Sequence, residues 1–142
     1  VSDTAQTWRF TSKDRIKARF ISPACVILGT PEIGEGTWIG HFTVLDGSQG
    51  LRIGKNCSIA SGVHIYTHST HELVALGKAK FVGSVEIGDN VVIGANSIIH
   101  YGCKIGSNTV IGALSMLKPN TIIDGDEFWA GIPAKFKKKL KT

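Results

Sequence analysis

The chain has 142 residues, 42% of them hydrophobic and 19% charged, with a formal net charge of +5. That balance supports one domain with a buried core and excludes an intrinsically disordered chain. No apolar run approaches the roughly 18 residues of a membrane helix, and none resembles a secretory signal. Three cysteines are an odd number, so a disulfide framework is not expected and a reducing, cytoplasmic setting is. The positive charge is local. Lys135, Lys137, Lys138, Lys139 and Lys141 sit in the last eight residues, and setting them aside leaves eleven basic residues against eleven acidic ones. A nucleic-acid-binding face needs basic groups spread over a folded surface, so no nucleic-acid partner is expected.

Residues 1–20 show no regular period. Trp8, Phe10, Ile16 and Phe20 suit an apolar cap, with a short helical turn over Ser12 to Arg19. From Ile21 the chain repeats every six residues, with large apolar side chains at Ile21, Ile27, Ile33, Ile39 and Leu45, then at Ile53, Ile59 and Ile65. The series resumes at Phe81 and runs through Ile87, Ile93, Ile99, Ile105, Ile111, Leu117 and Ile123 to Trp129. A small or β-branched residue follows four places after most of them, and Asn56, Asn90, Asn96 and Asn108 stand where a corner needs positive φ. A period of six fits neither a helix nor an isolated alternating strand. It fits short strands joined by like corners, three to a coil, stacked as parallel ladders roughly 4.8 Å apart. The expected organisation is a cap over 1–20, an all-β parallel β-helix of about five triangular coils over 21–134, and a basic tail over 135–142 that leads away. Cys25, Cys57 and Cys103 all fall on the small inward position, as core thiols.

The period breaks twice. Two residues are added within Gly47 to Arg52, and ten, His71 to Lys80, after the unit at Ile65. Insertions in a solenoid project from one face and mark where it works. Counting by threes places both breaks in the column of units starting at Ile27, Leu45, Ile65, Ile93, Ile111 and Trp129. His68 stands at the mouth of the longer insertion, and imidazole accepts a proton near neutral pH.

The run SIASGVHIYTHSTHE, a loop, and then VEIGDNVVIGANSIIHYGCKIGSNTVIGALSMLKPNTIIDGDEFWAGIPAKF resembles the hexapeptide-repeat acyltransferases. Among them it is most similar to sugar O-acetyltransferases, including galactoside, maltose and surface-polysaccharide acetyltransferases. The resemblance implies a left-handed coil, acetyl-CoA as donor, a sugar-type acceptor, no required metal and a homotrimer. It places the general base at His68, with His71 as the alternative. It also implies an acceptor contact at Asp46, one coil before Tyr66, which is assigned to the same acceptor site; alternatively Asp46 satisfies backbone amides of the turn Gly47-Ser48. For CoA it implies a groove of small residues, Ala95, Ala113 and Gly131 in the column above, with Lys118 and Lys135 near the nucleotide end. Two other activities remain open: N-acetylation of an amino sugar, and a γ-class carbonic anhydrase. The second is weakened by Ala95, which stands where that family's segment before His100 carries a histidine ligand.

Overall fold

The computed structural model describes residues 15–141; Trp8, Phe10 and the start of the expected helical turn lie outside them. Three parallel ladders form the walls of a triangular prism, and the chain visits them in the order A, B, C. Sheet A stacks Glu32–Ile33, Leu51–Ile53, Val85–Ile87, Lys104–Ile105 and Ile122–Ile123. Sheet B stacks Phe20–Ile21, Trp38–Ile39, Ser58–Ile59, Val92–Ile93, Val110–Ile111 and Glu127–Gly131. Sheet C stacks Val26–Gly29, Val44–Gly47, His64–Ile65, Ile98–Ile99 and Met116–Leu117. The apolar residue of each unit points inward, and Ile39, Leu45, Ile59, Ile65, Ile93, Ile99, Ile111 and Leu117 are fully buried. The small inward residues fill the angles of the prism. Their hydroxyls bond corner carbonyls, as Thr37 Oγ1 does to Gly54 (2.7 Å) and Ser97 Oγ to Gly112 (3.0 Å).

Stacking explains the corner chemistry. Asn56, Asn90 and Asn108 turn the A-to-B corner at φ 54, 57 and 59. The glycines there have no room for a side chain: a Cβ on Gly54 would lie 2.5 Å from the Gly88 carbonyl oxygen. At the B-to-C corner Phe42 and Leu114 also adopt positive φ and remain exposed, a use of bulky residues that the repeat does not announce.

The prism has about six turns rather than five. The extra one starts inside the expected cap: Arg15 to Arg19 form no helical turn, and Ile16 bridges Ile33 in parallel while packing on the core. The basic tail does not lead away. Ala134–Lys139 folds back antiparallel on Glu127–Gly131, and Lys139 pairs with Glu127 at 2.8 Å. Phe136 closes edge-on against Trp129, covering the last coil.

One register expectation fails. Ile65 pairs with Ile99, and Ile87 with Ile53, so Phe81 opens no coil unit. Phe81–Val82 instead pairs antiparallel with His68–Ser69, closing an arm that contains the helix α1, His71–Leu76. Ile65 and Ile87 stand 22 residues apart, so the excursion adds sixteen residues and not ten. The corner signature was missing: Phe81 is followed by Val82, not by the glycine that follows Ile87 or Ile93.

Candidate active site

Both breaks do lie at one corner, C to A, on adjacent rungs. The shorter break folds over Asp46 and leaves it with no exposed surface. Ser48 donates its N–H (3.0 Å) and Oγ–H (2.6 Å) to Asp46 Oδ1, and Thr67 donates its N–H to Oδ2 at 2.9 Å. The expected turn contacts are therefore present. The carboxylate also does more, because His68 Nδ1 lies 2.7 Å from Oδ2. Burial alone raises the Asp46 carboxyl, but the hydrogen bonds from Ser48 and Thr67 outweigh it and hold the group at about 2. An ionised carboxylate only accepts, so the Nδ1–H of His68 is the donor, and that bond leaves Nε2 as the ring nitrogen not engaged by Asp46. Asp46 thus faces inward onto the His68 ring and not outward onto an acceptor, which corrects its expected position.

His68 opens onto a cleft of about 450 Å³ lined by Leu28, Tyr66, His68, Ser69, Thr70 and His100. Tyr66 is in the cleft as expected, its hydroxyl 2.8 Å from His64 Nδ1. Burial, and then the Asp46 charge, pushes the Tyr66 phenol up, which keeps it protonated. His71 is absent from the lining: its Nδ1 bonds Ser69 Oγ at 2.7 Å and its ring stacks on Phe81. Among the described residues no carboxylate pairs with His71. His100, for which the sequence suggests a structural role or a contact with a neighbouring subunit, is a wall of the cleft. A one-unit shift of the column, counted from Ile65 to Ile99, would have found it.

The register correction divides the expected cofactor residues. Lys118 follows Leu117 on sheet C, one rung beyond His100, at the His68 corner. Ala95, Ala113 and Gly131 follow sheet B strands and stand at the B-to-C corner, with Lys135 opposite Ala130 beside them. One wall of the prism, roughly 15–20 Å for six extended residues, separates the two groups. A cleft of about 470 Å³ also opens on sheet A, but Arg52 and Glu32 in its wall pair at 3.0 Å and no histidine or cysteine lines it. The cysteines are buried and desolvation pushes all three thiols up, so none suits a nucleophile.

Residues 84–119 match the family model described as bacterial transferase hexapeptide (six repeats). The chain has a hexapeptide-repeat, left-handed β-helix fold. This β-helix protein is 32% identical to the mitochondrial gamma carbonic anhydrase 2 of Arabidopsis thaliana, over 85% of the chain and 48% of that protein. It is 35% identical to the serine acetyltransferase of Staphylococcus aureus, over 63% of the chain and 50% of that protein. The chain therefore spans about half the length of these curated relatives. A solved structure of a variant of AntD, an N-acyltransferase from Bacillus cereus in complex with dTDP-4-amino-4,6-dideoxyglucose and Coenzyme A, superposes with TM-score 0.78 at 27% identity. That match covers 90% of this chain and 75% of the other. Ala95 offers no side-chain ligand atom, and among the described residues no three His, Cys, Asp or Glu side chains converge as a metal site within one chain.

Proposed function

We propose that the protein is an acyl-CoA-dependent acyltransferase that moves an acetyl group from acetyl-CoA to a hydroxyl of a sugar or sugar conjugate. One observation carries the reading: Asp46 Oδ2 lies 2.7 Å from His68 Nδ1, which leaves Nε2 as the nitrogen available to the cleft that His68 lines. Nε2 takes the proton of the acceptor hydroxyl as its oxygen attacks the thioester carbonyl. The imidazolium, held against Asp46, then returns a proton to the departing thiolate. Backbone N–H groups of the coil corners are suited to the tetrahedral oxyanion. Direct transfer between two bound substrates gains from orientation and needs no acyl-enzyme, in keeping with the buried thiols.

The acetyl donor follows the resemblance to acetyltransferases. The small-residue corner and Lys135 stand a full prism wall from His68, so a second copy of the chain presents them to His68 in a heterologous ring, which three copies close. The AntD complex supports a second acceptor class, an amino sugar carried on a nucleotide. The test is thiol release from acetyl-CoA over a panel of hexosides, maltose and a dTDP-linked amino sugar, with the mass in solution measured alongside. Turnover dependent on a hydroxyl acceptor, by a trimer, is expected. Turnover with the amine alone moves the reading to N-acylation, and full activity in a monomer overturns the shared site.

A further inference from the structure

The chain has five histidines, and four are tied by a ring nitrogen to a side chain of their own chain. His41 bonds Ser22 Oγ (2.6 Å), His64 bonds Tyr66 Oη (2.8 Å), His68 bonds Asp46 (2.7 Å) and His71 bonds Ser69 Oγ (2.7 Å). His100 has no such bond among the described residues. It stands opposite Tyr66 on the next rung of sheet C, its ring half-buried in the cleft that contains His68. Burial pushes its pKa down from the ordinary 6.5, so at neutral pH it presents one donor and one acceptor nitrogen without a charge. A half-buried polar group with neither nitrogen paired gains from a ligand that pairs them.

We propose that His100 is an acceptor-binding residue, hydrogen-bonding an uncharged hydroxyl or amide next to the group that His68 deprotonates. The inference rests on the acyltransfer reading and deepens it by giving the class of acceptor. The two imidazoles have different roles because their surroundings differ. His68 has a carboxylate to hold its tautomer and stabilise its cation; among the described residues His100 has none, and its neighbours on the adjoining rungs of sheet C are Tyr66 and Lys118. A neutral ring there offers one donor and one acceptor to a polyol or an acylamino sugar.

The experiment is steady-state kinetics with the acceptor of the panel that the unaltered protein turns over best, and with its deoxy analogue lacking the neighbouring hydroxyl. His100→Ala is expected to raise the KM for the acceptor about tenfold, while the KM for acetyl-CoA moves less than twofold. His100→Asn, which keeps one donor and one acceptor, recovers most of the loss. The deoxy analogue costs the unaltered protein about as much as His100→Ala does, and costs the alanine variant little more. An unchanged acceptor KM in the alanine variant, or both KM values rising together, overturns the assignment. Should His100→Ala fail to fold, the deoxy penalty measured in His100→Gln and His100→Asn decides between the same outcomes. Absence of turnover in the unaltered protein with every acceptor overturns the acyltransfer reading itself, and this inference with it.

Discussion

Sheets A and C have nearly the same inner face and opposite outer ones. Inside, A stacks Ile33, Ile53, Ile87, Ile105 and Ile123, and C stacks Ile27, Leu45, Ile65, Ile99 and Leu117, all buried. Outside, A alternates Glu32, Arg52, Glu86 and Lys104, paired at 3.0 Å and 3.1 Å. C shows Val26, Val44, His64, Ile98 and Met116, with Tyr66 and His100 beside them. The inner register specifies the coil; the outer residues are then free to differ between walls. Sheet A is finished as a solvated surface, and sheet C carries the chemistry.

The sharpest test of that division is His68→Ala on the C side, expected to lower turnover by roughly 10² to 10⁴ with the fold intact. If His71→Ala has the large effect instead, the cleft does not hold the base. Next come the inner faces, where the two walls should behave alike. Ile99→Ala on C and Ile105→Ala on A should each cost about 2–5 kcal/mol of stability in urea titrations. A much cheaper loss on one wall would show that the coil does not close as one core.

Acid should separate the walls again. The Asp46 carboxyl is held at about 2 in the folded chain, below its ordinary 3.8. A lowered folded pKa gives stability that is whole above about pH 4 and lost as pH falls toward 2, amounting to about 2 kcal/mol for this buried group. Unfolding free energies against pH should show that loss in the unaltered protein and lack it in Asp46→Asn. The smallest effect belongs to sheet A: Glu86→Ala removes an exposed pair with Lys104 and should change stability by less than about 1 kcal/mol.

The coil was legible in the sequence because every unit repeats the same physical demand. An inward isoleucine every six residues and an asparagine at the tight corner leave little else for residues 21 to 65. Legibility failed where a residue met the period for another reason. Phe81 has the spacing of a core position, yet it pairs with Ser69 and stacks between His71 and Tyr101. That single misreading shifted the downstream column and hid His100. At the site, the nearness of Asp46 and His68 followed from the rung spacing. Its meaning did not, because only the folded turn at Ser48 shows the carboxylate shut away from solvent.

The arm between Ile65 and Ile99 has a bearing on how such a protein diversifies. Uninterrupted rungs are eighteen residues apart, as Ile99 and Leu117 are, and those across the shorter break twenty, as Leu45 and Ile65 are; here the same pairing spans thirty-four. Closing a connection of nearly twice the length costs only about 0.6 kcal/mol more in chain entropy, less than one core methylene contributes. The ladder above and below does not register the detour. Arm length and composition can therefore drift across a lineage almost without thermodynamic penalty, and the wall beside the reacting histidine can be rewritten for a new acceptor while the prism beneath it stays fixed.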